Sequence, residues 1–284
     1  MAPFFIIGNP RSGTTLLRIM LNSHHLITVP PECGFTVWLY EKYRNMALTE
    51  QANIRQFIED VTSSRKFETW GISKIEIEKV LLSQTFNSYS DLVSEIYYVY
   101  ALKNNKRPLL IGDKNNYYIR KMGILKEIFK NPKFVFIVRD GRDVALSYQE
   151  LHMKQIDSTY APKLPHLIED IAHEWTINNQ QIVNASDQNS VLVTYESLVT
   201  NPKETLTEIC SFLNVLYDDS MLQYHHNSDE PVDFLQWKSK VLESPDSNNI
   251  LKFEKFMSMS DVSLFESIAG CMLKHFGYRL ISKQ

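Results

Sequence analysis

The string Phe4-Phe-Ile-Ile-Gly8-Asn-Pro-Arg11-Ser-Gly13-Thr-Thr15 constrains this chain more than any other. Its four leading apolar residues predict a buried strand. A turn with two glycines follows, then an apolar run from Leu16 to Leu21 that predicts a helix. In such a strand–turn–helix, backbone N–H groups and the positive end of the helix dipole converge on one point, which suits an anion. The spacing Gly8-x4-Gly13 fits the opening of the nucleotide-triphosphate pattern G-x-x-x-x-G-K-[ST]. Thr14 replaces the lysine of that pattern, and the cation lies inside the loop as Arg11. The loop therefore reads as a cradle for a phosphate-like group other than the β/γ pair of ATP. Its candidate contacts are Arg11, the hydroxyls of Ser12, Thr14 and Thr15, and the backbone at Gly13.

With 284 residues, 44% of them apolar, the chain can bury a substantial core. Three more strand-like runs occur, at Leu109–Asp113, Lys133–Val138 and Ser190–Thr194. Continuous apolar runs of this kind fit a parallel sheet covered on both faces. Helical stretches separate them, which predicts an α/β fold with a central, mainly parallel sheet flanked by helices. After the last strand, Asn201 reads as a cap, Pro202 as the first helical residue and Glu204 as the third. Residues 35–105 carry few strand signals, and Gln51–Thr62 and Ser90–Leu102 look helical. The region reads as a helical insertion on the acceptor side, and its aromatics (Trp38, Tyr40, Tyr43, Trp70, Tyr97, Tyr98, Tyr100) read mainly as core. Residues 225–255 are polar, with Pro231 and Pro245, and read as a long loop or lid. An amphipathic helix over 261–276 stops at Gly277. The whole chain, 1–284, reads as a single domain.

A formal charge of −3 gives no general attraction to nucleic acid or to an anionic membrane. No run approaches the length of a membrane span, and the apolar start lacks a basic flank. The chain thus reads as cytoplasmic, and Asn184-Ala-Ser186 as a chance match to a glycosylation sequon. Cys33, Cys210 and Cys271 show no zinc or redox spacing and read as reduced, buried thiols.

Arg139 opens a second candidate site directly after the strongest strand. A residue there lies where open α/β sheets bind ligands. Arg139-Asp-Gly-Arg-Asp143 leads into a helix that carries Ser147 about one turn inside, so Arg139 and Ser147 can hold a second phosphate. Asp140 reads as an arginine partner and Asp143 as a helix cap. Asp140 as a magnesium ligand is disfavoured by the adjacent Arg139 and the missing lysine.

Together these residues resemble the sulfotransferases that use 3′-phosphoadenosine 5′-phosphosulfate (PAPS), which have a P-loop NTPase-like fold. Pro10-Arg11-Ser12-Gly13-Thr14-Thr15 matches that family's P-[RK]-S-G-T-[TS], which binds the 5′-phosphosulfate. Arg139 and Ser147 match its arginine and serine eight residues apart, which bind the 3′-phosphate. Tyr195-Glu-Ser-Leu198, with Asn201-Pro202 after it, resembles Y-E-[DS]-L…P and adds Tyr195 to the cofactor side. The resemblance covers residues 4 to about 215. In tyrosylprotein sulfotransferases and bacterial relatives a catalytic glutamate stands twenty-one residues after the loop arginine, and that interval leads from Arg11 to Glu32. His24 or His25 is the reserve base, since other sulfotransferases use histidine. Lys114 resembles the lysine of D-K-x-P, although Asn116 stands where proline is usual. The C-terminal R-K-G-x-x-G-x-W-K string is absent, and Ser247 and Lys252 are its candidate substitutes.

The resemblance implies a single in-line displacement. Glu32 removes the proton of an acceptor hydroxyl, while Arg11 and Lys114 stabilise charge on the leaving oxygen. The products are a sulfate ester and adenosine 3′,5′-bisphosphate, with the protein's own cations in place of a metal. The acceptor reads as a small molecule. Two other classes stay open: an ATP-dependent P-loop kinase of a small metabolite, and a non-catalytic nucleotide-binding module.

Overall fold

The computed structural model describes residues 2–154, 156–226, 228–235 and 247–282. In chain order its elements are β1 (Phe4–Ile7), α1 (Thr14–Ser23), β2 (Ile27–Thr28), α2 (Phe35–Trp38), α3 (Tyr40–Tyr43), α4 (Gln51–Thr62), α5 (Lys74–Leu81), α6 (Tyr89–Lys103), β3 (Leu110–Lys114), α7 (Met122–Ile128), β4 (Phe134–Val138), α8 (Gly141–Met153), α9 (Ile168–Ala185), β5 (Ser190–Thr194), α10 (Tyr195–Thr200), α11 (Pro202–Leu213), α12 (Phe253–Phe256) and α13 (Met259–His275). The strands form one parallel sheet in the order β2-β3-β1-β4-β5.

Strand alternation sets the layers. Phe4 and Ile6 join a core with Leu17, Met20 and Leu21 of α1 and Leu206, Ile209 and Leu213 of α11. Phe5 and Ile7 join the opposite core, with Phe134 and Phe136 of β4, Trp175 of α9 and Phe265 of α13. Successive strand residues face opposite ways, so a strand apolar throughout needs cover on both sides. Each such side chain contributes about 1.5–3 kcal/mol when buried. β1 and β4 are neighbours, with Ile7 opposite Phe136, and the chain order reverses between them. The crevice at their carboxyl ends is where open α/β sheets take ligands.

Helices α2 to α6 fill the interval between β2 and β3. Tyr43, Trp70, Tyr97 and Tyr100 are buried in the larger core, while Trp38 is 42% exposed and packs beside Tyr117. Strand β2 escapes the sequence reading because two residues are too few to show a period; its ladder is Ile27 and Thr28 against Leu110 and Ile111. Tyr195–Leu198 is helical, started by a reciprocal cap between Thr194 and Ser197. Pro202 opens α11 as read, but the Asn201 side chain does not cap it; its amide donates to Thr200 Oγ1 (3.2 Å). Asp140, rather than Asp143, caps α8 by accepting the Arg142 N–H (2.9 Å). Asp143 instead accepts the Phe253 N–H (2.9 Å). Cys33 and Cys210 are buried, whereas Cys271 is exposed. Of the loop read at 225–255, positions 227 and 236–246, Pro245 included, lie outside the described residues. Among the described residues no helix is long and apolar enough to cross a membrane.

Candidate active site

Every strand leads into a chemically relevant residue at its carboxyl end. β1 runs into the loop of Gly8 to Gly13, β2 is followed by Glu32, and β3 ends on Lys114; Arg139 follows β4 and Tyr195 follows β5.

Two glycines are required by close approaches. A Cβ on Gly8 would stand 2.5 Å from the Ile137 carbonyl oxygen. Gly13, at φ 89°, precedes α1 with no side chain accepting from the helix, so the first N–H groups stay available to an anion. A Cβ on Gly13 would meet Tyr195 Cδ2 at 2.6 Å, so the Tyr195 ring forms the wall behind the loop. Asn9 anchors the loop from the other side. It donates to Tyr148 Oη (3.1 Å) and accepts from Asn178 Nδ2 (2.8 Å).

The two arginines meet here. The Arg139 guanidinium lies 4.5 Å from the Tyr195 ring centroid, within cation–π range. Its Nη1 donates to the Arg11 carbonyl (3.1 Å) and its Nη2 to the Asn249 carbonyl (2.7 Å). Arg11 has left-handed backbone (φ 67°), and its Nε donates to Ser147 Oγ (3.0 Å). Ser147 thus meets the Arg11 side chain, while Arg139 meets the Arg11 carbonyl. Burial, and then the Arg139 charge, lower the pKa of Arg11 below the usual guanidinium value. The buried Ser12 Oγ and Arg139 Nε have no hydrogen-bond partner among the described residues. Buried donors left unmet cost about 1–3 kcal/mol each. Crowded like charges and unmet donors together describe a site that an anion would complete.

Other residues on the same side are less direct. The Thr14 hydroxyl is committed to Asn116 Oδ1 (3.0 Å), and Thr15 is half-buried on the first turn of α1. Lys252 pairs with Glu150 of α8, and Ser247 is exposed, its carbonyl accepting from the Ile250 N–H (3.0 Å). From that segment it is the Asn249 carbonyl that reaches Arg139.

Glu32 is recessed, with 12% of its side chain exposed, and faces two ammonium groups. Its Oε2 accepts from Lys66 Nζ at 3.0 Å, while Oε1 lies 3.8 Å from Lys114 Nζ. Oε1 also lies 3.4 Å from the Asn116 backbone N–H. The adjacent Asp113 is fully enclosed; burial pushes its carboxyl up to about 7, although the Tyr97 and Tyr118 hydroxyls act the other way. Burial also pushes the Cys33 thiol up to about 12, so it stays protonated. The histidines are elsewhere. Both follow the far end of the ten-residue α1, about 15 Å from its start. His24 Nδ1 accepts the Leu26 N–H and its Nε2 donates to the Leu216 carbonyl, which occupies both ring nitrogens. His25 pairs with Asp218.

Sequence reasoning missed Lys66, Asn9 and Tyr148, and took Asn116 as a departure only. For Asn116 a signal existed: a proline there has no N–H to offer Glu32. Lys66 lies in the turn after α4, outside any motif, and nothing in its spacing marks it.

The chain is similar to the protein-tyrosine sulfotransferase of Drosophila melanogaster, with 28% identity over 238 residues, covering 81% of this chain and 42% of that protein. Protein-tyrosine sulfotransferase A of Caenorhabditis elegans is 24% identical over 288 residues, covering 98% and 67%. The chain thus spans under half of the first relative's length and about two thirds of the second's. In three dimensions it is similar to the sulfotransferase domain from the curacin biosynthetic pathway, with a TM-score of 0.66 at 20% identity over 99% of both chains. The sulfotransferase domain from the Synechococcus PCC 7002 olefin synthase gives 0.62 at 21% identity over 98% and 95%. Those two likenesses identify the P-loop-like sulfotransferase fold. The Sulfotransferase family model matches residues 3–219, the stretch that holds all five strands and the residues at their carboxyl ends, and the chain belongs to that family.

Proposed function

We propose that this protein transfers a sulfuryl group from PAPS to an acceptor hydroxyl, with Glu32 as the general base. The observation that carries the reading is the approach of Glu32 Oε1 to Lys114 Nζ (3.8 Å), with Asn116 linking that pair to Thr14 of the loop. A carboxylate and a buried cation thus meet beside an anion cradle.

The residues present fit the donor. Ser12, the N–H groups opening α1 and Arg11 would hold the phosphosulfate end. Arg139 would hold the 3′-phosphate, with Ser147 positioned through Arg11. PAPS supplies the activated sulfuryl group. Glu32 takes the acceptor's proton, an effect of about 10²–10⁴ in rate, or about 3–5 kcal/mol. Lys114 and Arg11 stabilise the charge that develops on the leaving oxygen, and their burial strengthens that interaction.

The recessed carboxylate favours a hydroxyl on a slim stem, as in a small-molecule alcohol or phenol. A peptide tyrosine is the second reading, favoured by the names of the two sequence relatives. The kinase reading is weakened by Thr14, whose hydroxyl is tied to Asn116 where a P-loop would place its lysine. The test is a PAPS-dependent screen of small alcohols, phenols and tyrosine peptides, run beside thermal shifts with adenosine 3′,5′-bisphosphate and with ATP·Mg²⁺. Stabilisation by the bisphosphate and sulfation of one acceptor class is the expected result. Stabilisation by ATP·Mg²⁺ alone would overturn the reading.

A further inference from the structure

Lys66 reaches Glu32 from a mount built for the purpose. The segment 31–33 and the turn 65–70 run in opposite directions and are fastened on either side of the carboxylate. Trp70 Nε1 donates to the Pro31 carbonyl (2.9 Å), and Cys33 Sγ donates to the Arg65 carbonyl (3.5 Å). Between these fasteners lies the Lys66–Glu32 contact of 3.0 Å, with the lysine side chain only 17% exposed.

The turn itself is held in an uncommon shape. Lys66 has a left-handed backbone (φ 72°), a conformation that residues other than glycine rarely adopt. Its carbonyl accepts both the Thr69 hydroxyl (2.7 Å) and the Thr69 N–H (3.0 Å), and the neighbouring Phe67 is buried. Such conformations persist where the surroundings over-determine them. Lys66 is thus held where it is, rather than being a surface lysine that found an acid.

The two oxygens of Glu32 then have different surroundings. Oε2 faces Lys66, and Oε1 faces Lys114 and the Asn116 N–H. Resting on the reading of Glu32 as the base, we propose that Lys66 is its positioning residue: the ammonium fixes Oε2 and so presents Oε1 to the acceptor's proton. Among the described residues, charged groups facing the carboxylate include Lys66 of the turn and Lys114 of β3, with Asp113 of β3 interacting with it electrostatically. Lys66 Nζ lies 3.0 Å from Glu32, against 3.8 Å for Lys114 Nζ.

The experiment needs neither donor nor acceptor. Protein labelled with 13C at glutamate carboxyls is titrated by NMR, and the Glu32 signal is assigned by its loss in Glu32→Gln. In Lys66→Met that signal is expected to titrate one to three pH units higher than in wild type, because an opposite charge at this range has been removed. Lys66→Arg is expected to return it most of the way, and both variants are expected to bind adenosine 3′,5′-bisphosphate as wild type does by calorimetry. An unchanged midpoint in Lys66→Met overturns the proposal, as does a raised midpoint that Lys66→Arg fails to restore. Should Lys66→Met unfold, the Lys66→Gln variant is read by the same criteria. A wild-type turnover in Glu32→Gln would instead remove the base reading while leaving the charge pairing intact, so the two failures are separable.

Discussion

Arg11 and Glu32 belong to one site but are held by different means. Arg11 sits in a unit continuous in sequence: a strand of four residues, a turn, and a helix of ten. Its geometry follows from local rules, namely a glycine at φ 89°, an uncapped helix start and an apolar run on either side. Glu32 sits in no regular element. It is held by Lys66 from a turn after α4, by Lys114 at the end of β3 and by the Asn116 N–H, groups drawn from 34 to 84 residues away along the chain. The anion side is therefore shaped largely by its own segment. The carboxylate side is shaped by contacts that form only when distant segments pack together.

Ways to break that comparison differ in size. The largest effect is expected for Glu32→Gln, with turnover falling about 10²–10⁴-fold and affinity for adenosine 3′,5′-bisphosphate kept. Turnover near that of wild type would take Glu32 out of the base role. Next is Arg139→Ala. A charged hydrogen bond contributes about 1.5–3 kcal/mol, so bisphosphate affinity is expected to drop about ten- to a hundredfold. Calorimetry that finds the affinity unchanged would count against Arg139 as part of the anion side.

Gly13→Ala probes the local unit more gently. Left-handed strain adds about 1–2 kcal/mol, and the new methyl must displace Tyr195. Denaturant midpoints should fall, with bisphosphate affinity falling alongside because the loop moves with the ring. A variant as stable as the parent and binding equally well would show that the loop tolerates a side chain there.

A pH dependence sharpens the comparison from the packed side. Asp113 has its carboxyl raised to about 7, so protons are bound more tightly in the folded than in the unfolded chain. Its contribution is fully present below the unfolded carboxyl value, near 4, and is lost as pH rises through about 7. Asp113→Asn removes this slope, so the variant should gain stability relative to wild type as pH rises from about 4.5 to about 7.5. Parallel stability curves for the two proteins across that window would contradict the assignment.

The legible part of the molecule is the part written in short range. Residues 4–21 announce strand, turn and helix, and the run before Arg139 announces a second buried strand, because apolar periodicity and turn chemistry act over a few residues. The family resemblance added Glu32 by its interval from Arg11, and Lys114 by the dipeptide it shares with Asp113. Strand β2 stayed hidden because two residues carry no period, and its partner β3 is distant in sequence. The hydrogen bond from Arg11 to Ser147 is likewise beyond a sequence reading. Matching intervals put Arg139 and Ser147 in one region, but the direction in which Arg11 leaves its left-handed position decides which guanidinium meets the hydroxyl.

By itself, then, the sequence determined the parallel α/β sheet and the strand–turn–helix that opens it, since backbone preference and burial on two faces are properties of contiguous residues. Only the tertiary structure decided that Lys66 faces Glu32, that Asn116 links the carboxylate to Thr14, and that Tyr195 backs Gly13 while stacking under Arg139. Those contacts depend on how whole helices pack against the sheet, and a lysine in the turn after α4 carries no local mark of the carboxylate it will meet.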